Sequence, residues 1–176
     1  PRSACLQSDD VKNAKKERIR ELLKDRDVVY IYHNQIDNRG DNMKSENEVF
    51  NACQEAIEEI QALIRSITGY VYATRYLITA DHGFIYNRNK LQESDKIALD
   101  KKQIPFVNKR YLLTLQEITN DAVISRELTY LSKLNELYVT TPMGADIIKA
   151  PGGGQNYVHG GSSLQEMIVP VIKVKT

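Results

Sequence analysis

An α/β fold, with a mostly parallel central sheet flanked by helices, is predicted by three features of the sequence. The run "DVVYIYHN" (27–34), apolar through Tyr32, reads as a strand buried on both faces. A long helical pattern follows, in which Val49, Phe50, Cys53, Ile57, Ile60, Leu63, Ile64 and Ile67 recur at three- and four-residue steps. A second short run, Tyr76 to Ala80 in "YLITADHGFIY", is rich in β-formers and stops at a turn signal. Strand, long helix, strand makes a right-handed parallel crossover. Both strands then deliver their carboxyl ends to one edge of the sheet.

The remaining elements follow along the chain. The start, "PRSACLQSDD", has no apolar signal-peptide core and reads as a boundary. "DDVKNAKKERIRELLKDR" sets Val11, Ala14, Ile19, Leu22 and Leu23 among charges, an amphipathic surface helix whose charge run is a solvated face. Residues 1–26 are therefore assigned to this helix or boundary, and residues 27–176 to the portion that carries the chemistry. "NQIDNRGDNMK" is a polar loop, Ser45 and Glu48 have the spacing of a capping box for the long helix, and Gly69 is placed to end it. Asn87 to about Lys109 is pattern-poor and reads as a surface insertion. "RYLLTL" and "ELYVTTP" are expected strands, with "AVISRELTYLSKL" as a helix between them. The glycine-dense "APGGGQNYVHGGSS" leads to a helical turn at Ser163–Glu166. A last strand, Ile168–Val174, carries Pro170, which argues for an edge or a bulge.

Composition narrows the function. The 176 residues are 41% hydrophobic, ordinary for a globular domain. Lys plus Arg number 24 against 23 Asp plus Glu, which removes the electrostatic case for general nucleic-acid affinity but not for a local groove. The two cysteines, Cys5 and Cys53, fit no metal spacing and point to a reducing, cytoplasmic setting. No apolar run has membrane-spanning length.

The chemistry concentrates at strand ends. Asp81 and His82 stand where the second strand leaves the sheet, the place where open α/β sheets bind ligands. Alone, this dipeptide reads more readily as a turn cap, Asp81, beside a satisfied polar histidine at the sheet edge. The chain has three histidines, however, and each lies at a strand end or in a glycine-rich loop: His33, His82 and His159. Asp37 follows His33 across a polar turn, close enough in sequence to share an ion with it. Five such donors on one edge suit two metals about 4 Å apart, the arrangement used for in-line phosphoryl transfer.

Three stretches, "VYIYHNQIDNRGD", "ITADHGF" and "YVHGGSSLQEMIVPVI", together resemble the PglZ family of the alkaline phosphatase superfamily. The resemblance covers about residues 27–90 and 137–176 in the right order. It implies a metal-dependent phosphatase or phosphodiesterase of a bacteriophage-exclusion (BREX) defence system. It gives Asp81 and His82 to the metal that holds the nucleophile, and His159 to the other metal. His33 and Asp37 are assigned by position, since the superfamily's usual order is Asp before His; Asp41 is an alternate. Zinc is the default ion, with manganese and magnesium as alternatives. The implied partners are a phosphoester substrate, including nucleic acid, and other BREX components such as a methyltransferase and an ATPase. The superfamily's nucleophilic Ser or Thr precedes these motifs, and here only Ser3 and Ser8 do so, in no strand–turn–helix context. The chain is therefore expected to be a carboxyl-terminal portion, inactive alone. The alternative is a degenerate domain that docks other defence components.

Overall fold

A computed structural model describes residues 2–89, 91–99, 106–131, 136–150 and 156–176. In chain order the described elements begin with β1 (Ser3–Gln7), α1 (Ser8–Lys12), α2 (Lys16–Leu23), β2 (Val28–Tyr32), α3 (Gln35–Gly40), α4 (Val49–Val71) and β3 (Arg75–Thr79). They continue with β4 (Ile85–Tyr86), β5 (Lys96–Ile97), β6 (Phe106–Val107), β7 (Leu112–Thr114), β8 (Val123–Glu127) and β9 (Tyr138–Pro142). The last are β10 (Ile147–Ile148), β11 (Tyr157–Val158), α5 (Leu164–Met167) and β12 (Val171–Lys175). The chain divides into a first unit (Pro1–Gly40, Asn47–Thr79, Val171–Thr176) and a second (Asp41–Glu46, Ala80–Pro170).

The first unit joins helices to short strands through an apolar cluster. Val11 of α1, Ile19 of α2, and Leu63 and Ile67 of α4 are buried together. Leu6 of β1, Ile31 of β2 and Tyr76 of β3 pack against them. The amphipathic segment forms two helices rather than one, split by a turn at Asn13, and a strand precedes them. β1 arises because Ala4 and Leu6 alternate with exposed Ser3, Cys5 and Gln7, the period of a half-buried strand.

The mixture of helices and strands is as expected, but a single parallel central sheet is not what the hydrogen bonds draw. β2 pairs in parallel with β1, from Ser3↔Val28 to Gln7↔Tyr32. β3 pairs antiparallel with β12, from Val171↔Thr79 to Lys175↔Arg75. The segment read as a boundary thus supplies one neighbour, and the carboxyl-terminal strand the other. β12 begins just after Pro170, so the missing N–H of that proline breaks no ladder bond. β2 also departs from expectation, since it alternates exposed and covered residues instead of burying both faces.

The long helix starts later and ends later than its sequence signals. A single 3₁₀ turn, Glu46–Glu48, leads into Val49. The Ser45 hydroxyl donates to the Asn42 carbonyl instead of capping the helix. At the other end Gly69 is helical, and Tyr72 closes the helix in the left-handed region at φ 56°, its N–H donating to the Thr68 carbonyl. The buried face runs Val49, Ala52, Ala56, Leu63 and Ile67, whereas Phe50 and Ile57 of the expected stripe are exposed. Small alanines set that face, which a search for large apolar residues passes over.

The second unit is built of small sheets. β6, β7, β9 and β8 form an antiparallel sheet in that order, β4 pairs antiparallel with β11, and β5 pairs parallel with β10. "AVISRELTYLSKL" is corrected here: its first half is β8, paired with β9 from Val123↔Pro142 to Glu127↔Tyr138. β-Branched Val123 and Ile124 lose rotamer freedom in a helix and fit a pleated surface; residues 132–134 lie outside the described residues. The strands expected in "RYLLTL" and "ELYVTTP" are present as β7 and β9. The expected insertion carries β5 and β6, while residues 90 and 100–105 lie outside the described residues. Among the described residues, no helix is long and apolar enough to cross a membrane.

Candidate metal centre

In the second unit the turn after Ala80 carries Asp81 and His82, and β11 runs directly into His159. Their imidazole rings lie face to face, centroids 4.2 Å apart and planes within 2° of parallel. His82 Nδ1 is 3.0 Å from the Gly83 carbonyl oxygen. Its Nε2 is 3.8 Å from Asp81 Oδ2, and the Asp81 Oδ1 accepts the His82 backbone N–H at 3.1 Å. His159 Nε2 faces Asp41 Oδ1 at 3.4 Å. Tyr157 tilts against His159 on one side and Phe84 on the other, an aromatic wall behind the pair.

A cleft of about 170 Å³ adjoins His159, with Asp41, Asn108, Lys109 and Tyr157 among its lining residues. Burial pulls the Lys109 ammonium below its ordinary pKa, and the carboxylates of Glu46 and Asp41 act in the opposite direction. Glu46 is itself buried and accepts the backbone N–H groups of Asn156 and Tyr157, which fixes the strand leading to His159.

Both histidine-bearing loops are tied to one residue, Glu166. Its backbone carbonyl accepts the Gly83 N–H at 2.8 Å, next to His82. Its carboxylate accepts the Gly161 N–H at 2.9 Å, two residues past His159. The same carboxylate takes a bidentate pair of hydrogen bonds from Arg110, Nε at 2.9 Å and Nη2 at 2.8 Å, and a further bond from the Ser163 hydroxyl. The side chains of Arg110 and Glu166 are 0% and 1% exposed. Arg110 completes its donors with the carbonyls of Gly144 and Asp146, so neither charge is buried without partners. Burial alone would push the Glu166 carboxyl up; Arg110, Ser163 and the Gly161 amide together hold it below the ordinary value.

The glycines in "TADHGF" and "VHGGSS" follow from this packing. A Cβ on Gly83 would sit 2.1 Å from the Gln165 carbonyl oxygen, and one on Gly161 would meet Glu166 Oε2 at 2.7 Å. Gly160 has φ +96°, a conformation glycine adopts without strain. The loops can approach α5 only because these side chains are absent.

The profile of the BREX system PglZ alkaline phosphatase-like domain matches residues 1–174. The chain belongs to the PglZ family. It is 38% identical over 174 residues to the alkaline phosphatase-like protein PglZ of Bacillus cereus (strain H3081.97). It is 32% identical over 174 residues to the alkaline phosphatase-like protein BrxZ of Escherichia coli O9:H4 (strain HS). These alignments cover 98% and 97% of this chain but 20% of each relative. The chain thus spans about a fifth of the length of the curated relatives it matches.

Of the residues singled out from sequence, His82 and His159 come together, with Asp81 beside the first. The aspartate facing His159 is Asp41, the alternate. Asp37 is carried by α3 in the first unit. His33, also in the first unit, is nearly buried, and its Nε2 lies 3.1 Å from Glu59. Glu59 bonds Lys12 as well, and Lys12 followed by His33 hold its carboxyl below the ordinary value. Glu59, Arg110 and Glu46 carry no sequence signal that separates them from ordinary surface charges. Glu166 did leave a signal: the Ser163–Glu166 spacing marks a capping box, and that box is present.

Proposed function

We propose that this chain supplies divalent-cation ligands to the phosphoester-hydrolysing site of a longer PglZ-family protein, working within a bacteriophage-exclusion system on a phosphomonoester or phosphodiester, nucleic acid included. One observation carries the reading: Asp41 Oδ1 and His159 Nε2 are 3.4 Å apart beside the stacked His82. Two donors on one tetrahedral zinc at bonds of about 2.1 Å stand about 3.4 Å from each other, so this pair has the spacing of two ligands of one ion. The donor set, imidazole nitrogen with carboxylate oxygen, suits zinc first and manganese next.

His82 is oriented by its Nδ1 contact with the Gly83 carbonyl, the kind of outer hydrogen bond that fixes a ligating imidazole and leaves Nε2 as the donor. Asp81 adds a carboxylate on that side. His33 and Asp37 enter the ligand set on the sequence resemblance, and the His33–Glu59 contact supports it, because ligating histidines habitually hold a carboxylate on their other nitrogen. When bound, such cations supply positive charge to the oxygens of a transferring phosphoryl group. The protein's own part is to hold its donors still: Glu166 fixes both histidine loops, so little reorganisation is needed when charge develops. The Lys109 ammonium in the cleft wall adds a fixed cation for a phosphate oxygen.

The test is made in the full-length protein. Bound zinc and manganese are measured by elemental analysis, and hydrolysis is followed on chromogenic phosphate mono- and diesters. His159→Ala is expected to lower zinc affinity by about 10- to 100-fold or more with the melting temperature nearly unchanged, and His82→Ala to abolish hydrolysis. Wild-type zinc binding by His159→Ala would sink the assignment. A wild-type protein that holds no cation and hydrolyses neither ester would instead favour a docking domain.

A further inference from the structure

The six residues Asp41–Glu46 are grouped with the second unit, although the chain on either side of them belongs to the first. Packing does little to hold them there: Asp41, Asn42, Met43 and Lys44 are exposed, and Glu46, at 7%, is the one buried residue of the six. A carboxylate in such a place needs partners, because burying an unpaired charge is costly. Glu46 Oε2 accepts the backbone N–H of Asn156 at 3.2 Å and that of Tyr157 at 3.5 Å, and the Lys109 ammonium supplies opposite charge. At the other end of the segment, Asp41 Oδ1 stands 3.4 Å from His159 Nε2.

Between the two ends, Asn42 folds the backbone on itself. Its side-chain oxygen accepts the Lys44 N–H at 3.0 Å, and its carbonyl accepts the N–H groups of Ser45 at 2.9 Å and Glu46 at 2.8 Å. A turn bonded in this way moves as one piece, so a constraint at Glu46 is felt at Asp41. The contacts close a ring: from Asp41 through the turn to Glu46, across to Asn156 and Tyr157, along the strand to His159, and back to Asp41. From this ring we infer that Glu46 is a positioning residue, which docks the Asp41 turn on the strand leading to His159 and holds those two donors at the spacing of ligands of one ion. It acts through Asp41 and His159, not on the cation, and the inference rests on the cation-binding reading above. Glu166 ties the two histidine loops to each other; Glu46 ties the aspartate to them. Without that dock Asp41 would sit on an exposed loop, and ordering the loop would count against every binding event.

The test compares the full-length wild type with Glu46→Ala, Glu46→Gln and Leu128→Ala. Gln keeps an acceptor oxygen at the same reach, whereas Ala removes it. Zinc affinity is read by competition with a chromogenic chelator, and amide exchange of the metal-free protein by mass spectrometry of the peptide that spans Asn156 to His159. Glu46→Ala should bind zinc about 10- to 100-fold more weakly, the loss expected when an outer support of a ligand is removed. Its Asn156 and Tyr157 amides should exchange faster, and Glu46→Gln should restore most of both properties. Leu128→Ala, which opens a cavity at a buried position of the same unit, should lower the melting temperature and leave zinc affinity unchanged. If Glu46→Ala binds zinc as the wild type does, or loses no more affinity than Leu128→Ala, the positioning role is overturned. A loss that Gln does not restore would overturn it too, since charge beside Lys109 and not the dock would then be at work. A wild type that holds no zinc would take down the cation-binding reading and this role together; normal zinc binding by Glu46→Ala beside a zinc-binding wild type takes down the role alone.

Discussion

The two units are held together by different forces. In the first, hydrocarbon does the holding: Val11, Ile19, Leu63 and Ile67 meet behind the strands, and ion pairs such as Arg2–Asp27 and Arg18–Glu21 lie at the surface. In the second, the Arg110–Glu166 pair is more buried than Ile85 or Val158 of its small apolar cluster, and it ties together the loops that carry His82 and His159. Apolar contacts are non-directional and tolerate small shifts, whereas a bidentate ion pair fixes position and angle. The rigid device sits beside the loops that carry His82 and His159.

The sharpest way to break this comparison is to remove half of the pair. Glu166→Gln leaves Arg110 charged in a dry site, and breaking a buried pair this way costs about 3–5 kcal/mol. Urea unfolding should show that loss, and zinc affinity should fall with it because both histidine loops lose their tether. Replacing both partners, as Arg110→Met with Glu166→Leu, should restore much of the stability while zinc affinity stays low. A single variant that unfolds like the wild type would mean the second unit is not organised by this pair.

Next in size is the hydrocarbon side. Ile19→Ala, at a position 2% exposed, should cost about 2–4 kcal/mol by losing transfer energy and opening a cavity. Ile19→Val should cost about 1 kcal/mol. The first unit is defined by area rather than geometry, so these losses should scale with the methyl groups removed and leave zinc affinity within about twofold of wild type. Zinc affinity falling in step with stability would erase the distinction between the units.

Gly83→Ala is smaller in atoms but aimed at the site. A methyl 2.1 Å from the Gln165 carbonyl must push the His82 loop off α5, costing about 1–3 kcal/mol. Its effect on zinc binding should exceed that of Ile19→Ala despite the lesser cost in stability. Titrations of both variants check this directly.

What the sequence disclosed also differs between the units. The helices and strands of the first unit carry period in their apolar residues, and β2, α4 and β3 were legible from it. Pairing was not. Which strands are neighbours depends on contacts distant in sequence, so β1 beside β2 and β12 beside β3 left no local mark. In the second unit β8 has a mixed pattern, Val-Ile-Ser-Arg-Glu, that fits helix and strand alike until β9 is alongside. The "DHG" and "VHGG" stretches stood out because a donor followed by glycine is unusual at a strand end. The partners that hold them, Arg110 and Glu46, are ordinary charged residues whose burial no composition reveals. Candidate ligands are legible as types; their supports are legible only as positions.

The smallest expected effect is a surface one, and it calibrates the others. Glu93 accepts hydrogen bonds from Lys96 at 2.7 Å and Lys149 at 2.9 Å, bridging the paired strands β5 and β10 within the second unit. Lys96 first, then Lys149, draw its carboxyl from an ordinary 4.5 down to about 2. A carboxylate whose folded pKa is depressed contributes stability that is complete above its unfolded pKa and is lost as pH falls through the folded value. The wild type should therefore exceed Glu93→Gln by a small margin that is constant well above pH 4.5, shrinks as pH falls below it, and is lost below about pH 2. Because both lysines approach from solvent, 1 M salt, with a screening length of about 3 Å, should remove most of the margin at neutral pH as well. The Arg110–Glu166 pair, closed to ions, should keep its contribution in the same salt. Urea unfolding of Glu93→Gln and Glu166→Gln at low and high salt separates the two cases, and equal salt sensitivity would mean that the buried pair is reached by solvent.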